Sequence, residues 1–321
     1  MAAVQRDRVR TGLALRDPLA WHDVVEVVET AEQTGYEALF LPEIRARETF
    51  STLAGLAGVT STLKLGTGVV TIVARKPAIT AMAAATVHDL SGGRMILGLG
   101  SGPAEPGALD RLRTYLTTVS TILAGERVEG EQQFRLALAP GPTPVPIWIA
   151  ALGPKAMRLA GEVADGVLLN WCPPERVVFA RGRIREGAEA AGRDPADVTV
   201  AVYVRACIEH DEDVALPALA AAAAQYASYP AYRRQFEAVG LGAEAAAAAR
   251  ALAEGLPQTA PEALVRAVCL LGDADEAGRG LQAYRDAGAD LPVVYPVPAL
   301  EPTSSIMGTL FGLAPRPAVE S

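Results

Sequence analysis

KLGTGVVTIVARKPAITAMAAATVHDLSGGRMILGLGSG, residues 64–102, sets two short apolar runs on either side of one amphipathic stretch, and that order decides the fold. Lys64–Ile72 is rich in β-branched residues and reads as a strand. Pro77–Leu90 has helical spacing and opens on a proline, which suits a first helical turn. Ser91-Gly92-Gly93 stops that helix, and Met95–Leu99 is the next strand. A strand, a helix and a strand of these lengths imply a right-handed crossover between parallel strands.

The same alternation extends outward. Toward the N-terminus lie a strand at Val9–Leu15, a helix from Pro18 to Thr34 closed by Gly35, a strand at Ala38–Leu41 and a helix at Thr49–Ser61. Toward the C-terminus come a helix at Leu109–Ala124, a small excursion at Glu126–Phe134 and a strand at Pro146–Ala151. A helix at Pro154–Val163, a strand at Gly166–Asn170, a helix at Pro174–Ala191 and a strand at Val198–Glu209 follow. Asp213–Leu271 is mostly helical and longer than one crossover needs, and a helix at Asp275–Ala287 precedes the last strand, Leu291–Val297. Eight strands with helical crossovers predict an α/β fold, a (β/α)8 TIM barrel in one domain over residues 1–321; a doubly wound open sheet is the rival architecture.

Composition narrows the function. Half of the residues are hydrophobic but only 5% are aromatic, so the core is built from Ala, Val, Leu and Ile. A formal net charge of −8 argues against nucleic-acid binding. Cys172, Cys207 and Cys269 are far apart, with no zinc-ligand spacing, which points to a reducing compartment. Neither a signal peptide nor a membrane span is evident, since the Ala-rich stretch from Ala215 to Ala224 is too short and contains Pro217. A soluble, cytoplasmic globular protein is the expectation.

In such a barrel the chemistry sits at the C-terminal ends of the strands. Glu43 follows the second strand and points toward the mouth; the competing reading pairs it with Arg45 or Arg47 in a loop. Arg45, Arg47, Arg75 and Lys76 gather positive charge on one rim, suited to an anionic ligand tail. The glycines of Leu65-Gly66-Thr67-Gly68-Val69-Val70-Thr71 mark a bulge or a close approach by a ligand. Gly98-Leu99-Gly100-Ser101-Gly102 offers bare amides. Leu152-Gly153-Pro154-Lys155-Ala156-Met157 is the strongest signal, because a glycine and then a proline expose the unpaired amides of a helix start, a natural phosphate site. Among the histidines, His88 falls on the opposite face, His210 lies in an acidic run, and His22 near the first helix could reach the mouth. Cys172 reads as a small buried residue. Phosphate-binding backbone with few acid–base groups fits chemistry carried by a cofactor.

At these residues the sequence resembles the bacterial luciferase-like superfamily, and within it the branch using the deazaflavin coenzyme F-420, which includes methylenetetrahydromethanopterin reductases. The resemblance runs from about Val9 to Val297 and rests on Lys64-Leu65-Gly66-Thr67-Gly68-Val69, Leu90-Ser91-Gly92-Gly93-Arg94, Leu97–Gly102, Gly153-Pro154-Lys155 and Ala164–Asn170. It implies a (β/α)8 barrel with an insertion before the last strand, often homodimeric. It also implies a bulge in which Gly68–Val69 is a cis peptide propping the ring system. Glu43, Thr71, Ser101 and Gly102 fall where the family contacts the ring or ribityl chain, and Leu152, Gly153, Lys155 and Ala156 fall at its phosphate site. Many deazaflavin relatives carry Asp-His after the second strand, where this chain has Glu43-Ile44; Pro103 stands where an acidic residue often follows the fourth strand, with Glu105 two positions on. The implied function is hydride transfer from reduced F-420 to a small organic substrate, with Glu43 polarising or protonating it. The alternatives are an FMN-dependent monooxygenase and a non-catalytic barrel that binds flavin or another ligand.

Overall fold

The structure is a computed structural model that describes residues 9–16, 19–129, 133–139, 141, 143–209 and 211–315. Its elements run β1 (Gly12–Ala14), α1 (Trp21–Gln33), β2 (Ala38–Leu41), α2 (Thr49–Ala57), β3 (Lys64–Thr67), β4 (Val70–Thr71), α3 (Pro77–Leu90), β5 (Met95–Gly100), α4 (Ala108–Leu123), β6 (Ile147–Ala150), α5 (Pro154–Val163) and β7 (Gly166–Asn170). They continue with α6 (Pro174–Ala190), β8 (Thr199–Ala206), α7 (Glu212–Ala227), α8 (Pro230–Glu237), α9 (Gly242–Ala253), α10 (Glu262–Val268), β9 (Cys269–Leu270), α11 (Ala274–Asp286), β10 (Leu291–Pro296) and α12 (Pro302–Gly312).

The named strands pair in parallel, and β10 bonds both to β1 and to β8, which closes the sheet. That closure removes the doubly wound alternative. β3 and β4 together form one barrel strand interrupted by a bulge, since β4 pairs with the far end of β5. α7 to α10 form the helical insertion before the last strand. Two elements went unforeseen: β9, which extends the edge of β8 at Arg205 and Ala206, and α12 after the last strand. α1 starts at Trp21; Pro18 lies outside the described residues.

Helix ends follow local chemistry. Gly35 sits at φ 92° and Tyr36 N reaches back to the Ala31 carbonyl at 3.0 Å, closing α1 as its glycine suggested. The Ser91-Gly92-Gly93-Arg94 motif is structural. Its arginine donates to the carbonyls of Ser91, Leu63, Ala57 and Thr60 and to the Thr60 hydroxyl, tying the end of α2 to the start of β3.

Side chains alternate along each strand, so one set packs beneath the helices and the other fills the barrel. The interior set is Ala14, Ala38, Phe40, Ile96, Trp148, Leu168, Ala201, Tyr203, Leu291, Val293 and Tyr295. Phe40 stacks on Trp148 with ring centroids 5.4 Å apart, and Tyr203 meets Tyr295 edge-on at 5.7 Å. These rings explain the glycines of β3. A Cβ on Gly66 would lie 2.5 Å from the Phe40 ring, and one on Gly68 would lie 2.0 Å from the Tyr203 hydroxyl oxygen. The barrel's own aromatics thus make a close approach at those glycines. The insertion has its own core, in which Ala215, Ala220, Ala223 and Ala224 of α7 meet Ala245 and Ala248 of α9 around Phe236. No helix among the described residues is long and apolar enough to cross a membrane.

Candidate active site

Because the strands are parallel, their C-terminal ends form one mouth. Its floor is the aromatic layer of Phe40, Trp148, Tyr203 and Tyr295. At the floor's edge the Gly68–Val69 peptide is cis, as the resemblance implied. Gly68 N donates to the Leu41 carbonyl at 2.7 Å, the Tyr203 hydroxyl donates to the Gly68 carbonyl at 3.0 Å, and Val69 packs against the interior cluster. Burial pushes the Tyr203 hydroxyl well above its ordinary range, so it remains a donor.

Strand pairing brings most of the expected site residues onto one arc. Glu43 N donates to the Val69 carbonyl at 3.4 Å, and Thr71 is registered with Gly100. The Thr71 hydroxyl accepts from Val73 N at 3.1 Å. Gly102, at φ 75°, lies close enough to Thr71 that an added Cβ would be 3.3 Å from its hydroxyl oxygen, and half-buried Ser101 precedes it. Leu152, Gly153, Lys155 and Ala156 follow β6, the neighbour of β5. Gly153 is the N-cap of α5 and no side chain caps the helix. Met157 N bonds back to the Gly153 carbonyl at 3.0 Å, so the preceding amides of Lys155 and Ala156 are the orphan donors of an uncapped start. A Cβ at Gly153 would meet nothing within 4 Å, so the space before these amides is open.

The charges on the rim differ from expectation. Glu43 pairs with Arg75 at 2.6 Å, not with Arg45 or Arg47, and Arg75 also contacts Glu48. The hydrogen bond that Arg75 donates to Glu43 raises the Arg75 pKa, against the opposing effect of burial. Burial pushes the Glu48 carboxyl up, but bonds from Ser51 and Phe50 and the charge of Arg75 together hold it below the ordinary range. Arg47 donates to the Leu19 carbonyl at 2.9 Å and lies over Trp21, while Arg45 and Lys76 are exposed. The four cations thus do not act as one rim: Arg75 is committed to carboxylates and Arg47 to the first loop.

Two arginines carry more of the mouth than the sequence reading gave them. Arg176, in the first turn of α6, donates to the Leu152 carbonyl at 3.3 Å, beside the open start of α5, and its buried Nε has no acceptor. Arg205, on β8, is 3% exposed and lies over the rings of Tyr295 at 4.2 Å, Trp171 at 4.5 Å and Tyr226 at 5.1 Å. Its Nη1 donates to Asn170 Oδ1, and Asn170 Nδ2 in turn donates to the Tyr232 hydroxyl at 2.7 Å. Gln235 of α8 fixes the end of β7 by donating to the carbonyls of Asn170 at 2.8 Å and Trp171 at 2.6 Å. Trp171 adopts φ 52°, unusual for a bulky residue. The signal for Arg205 was legible: it is the one charged residue at an inward position of its strand.

The remaining candidates stay outside the chemistry. Cys172 is buried, and burial pushes its thiol up to about 12, which makes it a packing residue; Cys207 and Cys269 are likewise free and buried. His88 is buried on the opposite face and bonds the Thr143 carbonyl at 2.9 Å. It borders a cavity of about 490 Å³ between α3, α4 and a wall that includes Leu136, Gly141 and Val145, remote from the mouth. His22 is exposed beside Asp23, and His210 lies outside the described residues. Among the described residues no group of three or more His, Cys, Asp or Glu could hold a metal ion.

A closed parallel barrel with a bulged third strand and an open helix start at its mouth places the chain among the (β/α)8 TIM barrels. Residues 5–291 match the luciferase-like monooxygenase family, and the chain belongs to that family. A 5,10-methylenetetrahydromethanopterin reductase of Methanolobus tindarius is 37% identical over 210 residues, covering 60% of this chain and 63% of that protein. The reductase of the same name from Archaeoglobus fulgidus is 29% identical over 225 residues, covering 64% and 67%. The chain thus spans about two thirds or less of these relatives' length. The solved structure of the coenzyme F-420-dependent tetrahydromethanopterin reductase of Methanopyrus kandleri superposes with a TM-score of 0.80 at 26% identity, over 96% of this chain and 98% of that one.

Proposed function

We propose that this chain is an oxidoreductase that binds coenzyme F-420 at the barrel mouth and uses it on a small organic substrate. The observation that carries this reading is the uncapped start of α5, with open space at Gly153 and the orphan Nε of Arg176 nearby, on the rim that also holds the bulge. Orphan amides at a helix start, beside a guanidinium whose buried Nε has no acceptor, suit a phosphate. Val69 would support the ring from below, with Glu43, Thr71, Ser101 and Gly102 along its edge and Leu152, Gly153, Lys155 and Ala156 around the phosphate. The relatives named for F-420 support this cofactor over FMN.

When bound, F-420 supplies a hydride for an electrophilic carbon. The chain's own part is positioning and exclusion of water. The aromatic floor keeps the ring's underside dry. Glu43 Oε1, steadied by Arg75, would face the substrate and accept or pass a proton there. The exposed apolar residues of α3, Ile79, Met82 and Leu90, share one face and support assembly as a homodimer. Titration of the purified protein with F-420 and with FMN, followed by cofactor fluorescence, tests the reading. Saturable F-420 binding with weaker FMN binding is expected. FMN binding alone would make the monooxygenase reading the better one, and binding of neither would leave a barrel for some other ligand.

A further inference from the structure

Arg205 is a buried cation with no carboxylate partner among the described residues. A guanidinium has five N–H donors, and among the described residues its hydrogen-bond acceptor is Asn170 Oδ1. Arg94 shows how this chain treats a guanidinium that only holds structure: five hydrogen bonds, four of them to carbonyls. The surroundings of Arg205 are short of acceptors. Trp171, stacked beneath it, has a buried indole Nε1 with no partner, and Asn170 Nδ2 is spent on Tyr232. Aromatic faces stabilise the charge but cannot accept the in-plane hydrogen bonds of the guanidinium. A buried cation in such a setting calls for an anion.

Position says which ligand would bring it. Tyr203 and Arg205 lie two apart on β8 and face the same way, so Arg205 stands one layer above the tyrosine that touches the bulge. It is registered with Tyr295 and roofed by Tyr226 of the insertion, two strands round the barrel from β6 and facing the bulge across the mouth. We infer that Arg205, with Asn170 and Trp171, is the anion anchor of the substrate half of the mouth, and that the substrate carries a carboxylate. This rests on the mouth being the active site proposed above.

The test uses wild-type protein with and without F-420, titrated with acetate, pyruvate and benzoate and with the neutral amide of each, by calorimetry and tryptophan fluorescence. At least one carboxylate should bind about tenfold or more tighter than its amide, through charge-assisted bonds. Arg205→Met should abolish that preference, Arg205→Lys should keep part of it, and both should bind F-420 as the wild type does. Equal binding of acids and amides, no binding of either, or a preference that survives Arg205→Met would overturn the proposal. So would a parallel loss of F-420 affinity in both variants, which would assign the anion to the cofactor. Should Arg205→Met fail to fold, the wild-type acid–amide comparison and the lysine variant decide. Wild-type protein that ignores F-420 yet shows an Arg205-dependent acid preference would sink the cofactor reading and leave the anion site standing.

Discussion

The Tyr203 hydroxyl donates to the Gly68 carbonyl at 3.0 Å, from β8 across the barrel interior to the bulge between β3 and β4. A Cβ on Gly68 would lie 2.0 Å from that hydroxyl oxygen and 2.9 Å from Phe40 Cβ. Gly68→Ala is therefore expected to destabilise the fold by about 2–3 kcal/mol through overpacking. Tyr203→Phe removes the nearest clash, so the double variant should be less unstable than the two single changes summed. Urea unfolding of all four proteins in a double-mutant cycle checks this, and strictly additive penalties would show that the two residues do not compete for the same space.

Glu43 is held by Arg75, and Arg75 keeps Glu48 as a second partner, so Glu43→Gln should fold. If Glu43 handles a proton on the substrate, the variant should lose roughly a hundredfold in turnover while F-420 affinity changes little. Turnover equal to the wild type would remove Glu43 from the chemistry.

Strand and helix order was readable because hydrophobic period and glycine–proline punctuation are local. The barrel, its insertion and the bulge at Gly68 all followed. What was not readable depends on contacts between distant residues. Glu43 finds Arg75 across 32 positions because β2 and β4 end side by side, whereas Arg45 and Arg47 turn away with their own loop. The glycines of β3 read as a bulge or a close approach by a ligand; that Phe40 and Tyr203 crowd them depends on contacts between strands far apart in sequence. α12 follows the last strand without breaking any pattern the barrel needs. The open helix start at Gly153 was legible since Gly-Pro writes it locally; Arg176, which reaches Leu152 from the next helix, was not.

At the barrel's other end Glu37 bonds Arg10 at 2.6 and 2.8 Å and Lys64 at 2.9 Å. Burial pushes its carboxyl up, but the Arg10 and Lys64 bonds and charges outweigh this and hold it down to about 2. The folded state therefore binds fewer protons than the unfolded chain between the ordinary carboxylate range and about 2. Its contribution, about 2 kcal/mol after allowing for partial exposure, is complete above about pH 5 and fades as pH falls toward 2. Denaturant titrations at stepped pH should show a steeper acid loss for wild type than for Glu37→Gln. Parallel curves would mean the pair is screened by solvent.

Ile79 and Met82 are 51% and 43% exposed on α3, the face proposed for the homodimer contact. A charge placed there should break a homodimer without disturbing the barrel. Met82→Glu is expected to halve the mass seen by light scattering at an unchanged melting temperature of the protomer. A wild type that is already monomeric would refute the assembly.

Gly153 separates stability from binding. It is the N-cap of α5 with extended φ and ψ of −96° and 162°, a conformation any residue adopts, and nothing stands where its Cβ would go. Aspartate at an N-cap accepts from the free amides and should hold or raise stability by a few tenths of a kcal/mol. The same carboxylate would occupy the place proposed for the cofactor phosphate and repel it. Gly153→Asp is thus expected to melt at or slightly above the wild-type temperature yet bind F-420 at least about tenfold more weakly. Gly153→Ala, equally free of clashes, should bind nearly as the wild type does. Thermal melts and cofactor titrations on the three proteins read the two quantities separately, and unimpaired binding by the aspartate variant would place the phosphate elsewhere.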